Sequence, residues 1–343
     1  MTIKKLEYEL RFLTPAFLGN AEQSAQWRTP PIKALLRQWW RVVWAAENGF
    51  SNDIAAMRRE EGLLFGHAWL EDDGFERDGH WVKTAARKSL VRLRLEGTDE
   101  AGAWTPGTQQ GVAPVPTSID AGYAWFGLVR RGHGQPDRNA IRADGRESVR
   151  TLVLAVPDEH AERLATVMRL VSQFGQLGSR SRGGWGSFQL SGAQPLSVAE
   201  LQRYAQPTDD CLSRDWPMSF CSDAKGLCLW ESKATFKTWD QAMLGAALER
   251  RRVRSALKSV GGKDLRPALG FALAVGRMPS PLRWRVVQMP DKQLAMWVFA
   301  MPTRIPDEAR KSVAPADLNK AWRTVFDALD RSDFLKPRVA AGR

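Results

Sequence analysis

The 343-residue sequence predicts an α+β fold: two ferredoxin-like, RRM-related βαββαβ units in tandem, with a glycine-rich loop. Three observations carry that expectation. Short runs with an apolar residue at every second position alternate with longer runs of helical period. The order strand, helix, strands, helix recurs in both halves. Between the halves, residues 191–226 lose their period and gather Pro, Ser and Asp, the composition of a boundary. The expected division is an N-terminal unit over 1–195 with long surface loops, a linker over 196–226 and a C-terminal unit over 227–343. At roughly 100 to 200 residues per domain, each unit is large enough to bury its own core.

The elements follow in order. In LEYELRFL, Leu6, Tyr8, Leu10 and Phe12 alternate with polar residues, which is the period of a half-buried strand. A turn over Thr14 to Asn20 leads into a helix, PPIKALLRQWWRVVWA, from Pro30 to Ala45. Strands are expected in SLVRLRLEG (Ser89 to Gly97), AGYAWFGLV (Ala121 to Val129) and VRTLVLAV (Val149 to Val156). The helix DEHAERLATVMRLVSQFG follows, with Asp158 near its cap and Gly175 at its end. The loop LGSRSRGGWG then runs into a strand, GSFQL. Residues 97–121, rich in Gly, Pro, Thr and Gln, and the charged stretch 131–148 are expected as surface loops, the second one mobile. In the second unit LCLWESKATFK reads as a strand, and TWDQAMLGAALERRRVRSAL as a helix with Thr238 or Asp240 near its N-cap. PLRWRVVQM and KQLAMWVFAMP make two more strands, and a helix starting around Pro315 to Asp317 closes the unit. The repeated order implies a structural duplication.

Lysine and arginine number 50 against 38 acids, a net charge of +12 and a pI near 9.9, so the surface attracts polyanions. Nucleic acid is the first partner to test and an anionic membrane the second. No segment approaches the ~18 apolar residues of a membrane span. MTIKKLEYEL lacks the apolar stretch of a secretory signal, so a soluble, cytoplasmic protein is expected, with no membrane and no small-molecule substrate among its partners. Cys211, Cys221 and Cys228 form no C-x-x-C and have no histidine at ligand spacing. They predict free thiols, and neither a metal nor another cofactor is expected. His67, His80, His133 and His160 lie in unrelated contexts, and no catalytic pattern surrounds them.

Two constellations point to RNA. At about 100° per residue, Leu35, Leu36, Trp39, Val42, Val43 and Ala46 fall on one side of the first helix, and Lys33, Arg37, Trp40, Arg41 and Trp44 on the other. Trp39 belongs to the core. Lys33, Arg37 and Arg41, spaced by four, repel one another unless something negative lies over them, and phosphates would answer that. Trp40 and Trp44 then either stack on bases or pack under a second layer or a neighbouring subunit. The loop Gly178, Ser179, Arg180, Ser181, Arg182, Gly183, Gly184, Trp185 resembles a phosphate cradle. It is not a nucleotriphosphatase loop, because Gly184 and Trp185 stand where that motif needs lysine and a hydroxyl. A plain tight turn is the alternative. A weaker basic set is Arg277, Ser280, Arg283 and Arg285, while ERRRVR (Glu249 to Arg254) reads as a solvated helix face.

LRFLTPAFLGNAEQ (Leu10 to Gln23), RTPPIKALLRQWWR (Arg28 to Arg41), LLFG (Leu63 to Gly66) and LGSRSRGGWGSF (Leu177 to Phe188), in that order, resemble the RAMP superfamily of CRISPR proteins. Within it the chain is similar to the first-numbered subunits of the type III-B Cmr effector, and RMPSPLRWRV (Arg277 to Val286) extends the likeness to the second half. The resemblance implies a non-catalytic antiviral subunit at the end of the assembly that holds the 3′ part of the guide RNA, where it helps engage target RNA beside other RAMP subunits. It maps the family's basic helix and glycine-rich loop onto Lys33, Arg37 and Arg41 and onto Gly178 to Gly186, and Arg28, Trp40, Trp44, Arg277 and Arg283 are further RNA-binding candidates. Ala34 departs from the glycine frequent in relatives, which weakens any close approach of RNA to that backbone. The alternatives are a metal-independent guide-processing endoribonuclease with His133 as general base, and a scaffold whose tryptophans bury in a neighbour.

Overall fold

A computed structural model describes residues 2–22, 24–68, 70, 73–84, 86–97, 103–104, 119–128, 139–143, 148–273, 276–307 and 313–338. The fold is α+β with largely antiparallel sheets. In the first half β1 (Ile3–Phe12) leads to the helices α1 (Thr29–Glu47) and α2 (Ile54–Phe65). A hairpin of β2 (Gly74–Arg77) and β3 (His80–Lys83) precedes β4 (Arg92–Glu96), β5 (Ala103–Trp104), α3 (Ile119–Trp125) and β6 (Ala140–Ile141). Then come β7 (Val149–Pro157), α4 (Asp158–Phe174) and β8 (Phe188–Ser191). The main sheet has the order β4-β7-β1-β8. β1 lies at its centre, paired with β7 from Ile3↔Pro157 to Arg11↔Val149 and with β8 from Glu9↔Ser191 to Phe12↔Phe188.

The alternation in β1 decides which face is covered. Tyr8, Leu10 and Phe12 are buried, while Glu7, Glu9 and Arg11 remain exposed on the other face. α1 and α4 cover the apolar face with Leu36, Trp39 and Val43 from the first and Leu164, Met168 and Val171 from the second. Full burial of each such side chain contributes roughly 1.5–3 kcal/mol.

Residues 196–226, expected as a linker, fold instead. They form α5 (Val198–Gln202), β9 (Ala205–Pro207), α6 (Thr208–Leu212), β10 (Phe220–Asp223) and the start of β11 (Gly226–Leu227). Ser197 and Glu200 cap α5 reciprocally. Leu196, Leu201, Met218 and Phe220 join the core of the first half, and Cys211 and Cys221 that of the second. Elements of two to five residues are too short to show a period, which is why composition alone suggested a linker.

The second half contains β12 (Leu229–Glu231), α7 (Trp239–Ala256), β13 (Phe271–Leu273), β14 (Gly276–Met278), β15 (Leu282–Gln288), β16 (Leu294–Ala300) and α8 (Pro315–Asp330). The expected strand, helix, two strands and helix are present as β12, α7, β15, β16 and α8, with an unexpected hairpin of β13 and β14 inserted before β15, and the sheet order is β12-β16-β15. Ser232 also forms an isolated antiparallel bridge with Leu335. The strand expected over Ala121 to Val129 is a correction: α3 takes the stretch up to Trp125, burying Ala124 and Trp125 in the second core against α7, and a turn over Gly127 and Leu128 follows. LCLWESKATFK is a strand only at β12, with pairing resumed at Phe236↔Leu294. Most of the two expected surface loops, His133 included, lies outside the described residues.

The two cores interlock. Leu13, Phe17 and Trp185 of the first half sit in the second core, and Phe299 and Met301 of the second half sit in the first. The glycine-rich loop lies on this seam.

Candidate nucleic-acid interface

α1 starts from Arg28, extended at the N-cap, with proline in the first turn where a missing N–H costs nothing. All three of its tryptophans are buried: Trp39, Trp40 and Trp44 are 0%, 1% and 2% exposed. Trp39 packs against the adjacent pair Phe174 and Phe220, and Trp40 meets Phe65 of α2 edge to face. Neither Trp40 nor Trp44 offers a face to a base or to a neighbouring subunit, which corrects both open readings beyond the second layer. The second layer is α2. Its Glu61, nearly fully buried, accepts from Arg37 Nε at 2.5 Å and from Arg41 Nε at 2.8 Å and Nη2 at 2.9 Å. Trp216, from the expected linker, lies 4.1 Å from the Arg41 guanidinium. A carboxylate of the chain itself therefore answers the repulsion for which phosphates were expected. Lys33 is half-buried, and burial followed by the Arg37 charge lowers its pKa; Arg28 is exposed.

The glycine-rich loop is also bound to its own protein. Leu177 N donates to Gly186 O at 3.0 Å, Ser179 N to Phe17 O at 3.0 Å, and Thr14 Oγ1 to Gly184 O at 2.8 Å. Gly186 has φ +63°, and a Cβ there would lie 1.7 Å from Leu177 O, so this position admits no side chain. Gly183, Gly184 and Trp185 are buried, and the Trp185 indole donates to Ala124 O at 2.9 Å. Arg182 spends its guanidinium on Pro279 O at 3.0 Å and Ser280 O at 2.8 Å, and its own carbonyl accepts from Trp284 N at 3.0 Å. The expected cradle of Gly183, Gly184, Trp185 and Arg182 is thus a clasp between the halves. Arg283 is a correction as well, at 4% exposure. The Gln38 amide, turned to present its oxygen, accepts from Arg283 at 2.8 and 2.5 Å. Buried Arg285 donates to Ser172 O and Phe188 O, both at 2.5 Å. Burial lowers the pKa of Arg182 to about 10 and of Arg285 to about 9, so both stay charged at neutral pH.

Beside the clasp, the seam opens into a groove of about 850 Å³. Arg180 from the loop, Arg250 and Arg254 from α7, and Arg277 from β14 line it together with Tyr123 and Phe126, and none of its described lining residues is acidic. The Arg250 guanidinium lies 5.2 Å over Tyr123 and donates to Gly183 O at 3.4 Å; Arg180 lies 5.6 Å over Phe126. Two glycines make room for these groups. A Cβ on Gly127 would fall 1.7 Å from Arg180 Nη2, and one on Gly183 would fall 2.7 Å from Arg250 Nη1. Arg180 itself has φ +57°, a strained conformation for a side-chain-bearing residue. Burial lowers the pKa of Arg250, and the neighbouring charges of Arg180 and Arg254 add to that effect. Four cations crowded on one groove favour an anion among them.

Of the sequence candidates, the groove gathers Ser179, Arg180, Gly183, Trp185 and Arg277; Gly183 and Trp185 are its buried floor. Sequence reasoning missed Arg250, Arg254, Tyr123 and Phe126. The four-residue spacing of Arg250 and Arg254 on a legible helix was the available signal. A second, shallower pocket of about 520 Å³ adjoins at Ser179 and is lined by Arg28, Gln38, Gln176, Gly178 and Ser181 among others. Of the remaining candidates it holds Arg28, Gly178 and Ser181, while Lys33 lines neither pocket.

The described histidines are occupied or remote. His67 Nε2 faces Asp73 Oδ2 at 2.6 Å, and its Nδ1 accepts from Leu70 N at 3.4 Å; Arg87 also pairs with Asp73. His80 is exposed on β3, and His160 lies 3.8 Å from Glu159. All three cysteines are free and buried. Hydrogen bonding to Cys221 and burial push the Cys211 thiol up. Among the described residues no group of three or more His, Cys, Asp or Glu side chains suits a metal ion, and no helix is long and apolar enough to cross a membrane.

Architecture and groove thus define a two-part α+β protein with an arginine-lined seam. The chain belongs to the RAMP superfamily, whose family model matches residues 9–189. Among solved structures it is similar to the crystal structure of Cmr1 from Pyrococcus furiosus in its apo form, at 20% identity over 90% of each chain with a TM-score of 0.49. It is also similar to a chain in the cryo-EM structure of the Type III-B Cmr-beta bound to cognate target RNA, at 11% identity over 94% of this chain and 99% of that one, TM-score 0.49. The same assembly with AMPPnP, in state 2 and in the presence of ssDNA, gives 12% identity over 94% and 98%, TM-score 0.48. No curated protein matches the chain.

Proposed function

We propose that this chain is a non-catalytic RNA-binding subunit of a type III-B CRISPR effector complex and that the seam groove holds the RNA. The observation that carries this is four arginines converging on one groove in a RAMP-family chain of net charge +12. Both halves are read as ferredoxin-like units. In this reading the chain caps the assembly near the 3′ part of the guide RNA, contacts target RNA and other RAMP subunits, and works in the cytoplasm. Arg180 and Arg277 of the expected contacts remain in use, with Arg250 and Arg254 added. Arg28, Gly178, Ser179 and Ser181 line the adjoining pocket. The endoribonuclease alternative rests on His133, which lies outside the described residues.

Each neutralised phosphate contributes about −0.7 to the slope of log affinity against log salt for single strands. Replacing Arg250 and Arg277 together by alanine should flatten that slope by about 1.4 and weaken RNA binding across sequences. An unchanged slope and affinity would show that the groove is not the interface.

A further inference from the structure

We infer that the groove selects single-stranded RNA, by stacking one unpaired base on Phe126. The inference rests on the proposed RNA-binding role and adds the form of RNA taken and a residue that selects it. Phe126 is 71% exposed, the most exposed of the large apolar side chains among the described residues, and of that exposed set it alone lines the arginine groove. A single exposed aromatic is ordinary on a protein surface. Its position is what matters here. The Arg180 guanidinium lies 5.6 Å over the ring, so one face carries a cation, and at this exposure the ring still has a face open to the groove. The mount is stiff: Phe126 N donates to Tyr123 O, Leu128 N donates to Trp125 O, and buried Trp125 lies 4.7 Å from Trp185 in the seam. A ring so mounted presents an apolar plate while Arg250, Arg254 and Arg277 lie ready for the flanking phosphates. Base stacking on an aromatic plate is tolerant of sequence. A base inside a duplex has both faces covered by its neighbours and cannot take this place without being extruded.

The test uses the full-length chain with a 20-nucleotide RNA carrying 5-iodouridine, single-stranded or annealed to its complement. Ultraviolet crosslinks are mapped by mass spectrometry, and affinity is read by filter binding. A crosslink at Phe126 is expected with the single strand and not with the duplex. Phe126→Leu should weaken single-strand binding by roughly fivefold or more, and Phe126→Trp should retain it. The salt slope should not change in Phe126→Leu, since no charge is removed. Trp81→Ala, at an exposed aromatic outside the groove, should bind as the parent does. If the Arg250 and Arg277 replacements flatten the slope while Phe126→Leu is neutral or the duplex binds equally well, the stacking inference falls and the groove stands. If those replacements leave binding unchanged or no RNA binds, the groove reading falls, and the stacking inference with it.

Discussion

Glu61 shows how far residue spacing reaches. The four-residue repeat of Lys33, Arg37 and Arg41 correctly calls for a negative partner, but spacing reports a face and not what covers it. The partner is a carboxylate of α2, a helix whose own apolar stripe does not say against what it packs. Glu61→Ala leaves two cations beside a buried layer of tryptophan. Breaking a fully buried pair costs about 3–5 kcal/mol, and with both arginines about a quarter to a third exposed, a loss of about 2 kcal/mol in urea unfolding is expected. Arg37→Ala should likewise lower stability while RNA affinity changes less than twofold. Asp73 offers a second check. Hydrogen bonds from Arg87 and His67, the first the stronger, hold its carboxyl down to about 2 against an ordinary 3.8. Its stabilising contribution is therefore complete above pH 4 and lost as pH falls towards 2. Asp73→Asn should melt lower than the parent at pH 7, with the gap closing across that window.

At the scale of elements, long periods were legible and short ones were not. β1, α1, α4, α7, β15, β16 and α8 all follow from alternation or helical spacing in their residues. α3 did not, because Tyr123, Ala124 and Trp125 are a short continuous apolar run, which periodicity alone cannot assign to strand or helix. The glycines of the loop were read as room for phosphates, and two glycines on the seam, one of them in the loop, instead seat the protein's own guanidinium groups. Gly127→Ala tests this. With φ +78° and Arg180 Nη2 in the space of the new methyl, the substitution should displace Arg180 and weaken RNA binding severalfold without altering net charge. Thermal melting should fall modestly, by about 1 kcal/mol, for the backbone conformation alone.

On the scale of the whole molecule, composition pointed to a polyanion, but the groove itself was not legible. Its walls come from residues 123–127 and 179–185 on one side and 250–284 on the other, and only the packed halves bring them together. The clasp at Arg182 is the joint. Arg182→Ala removes two hydrogen bonds across the seam and should broaden the unfolding transition, as the halves begin to melt separately.

Because the two cores trade side chains, neither half is a finished protein with its own closed surface. Expressed apart, each would present an apolar scar where Trp185 or Phe299 ought to be received. A cut in the chain between them would make nucleic-acid capture a report on reassembly, with two silent fragments becoming one binder only when the seam zips shut.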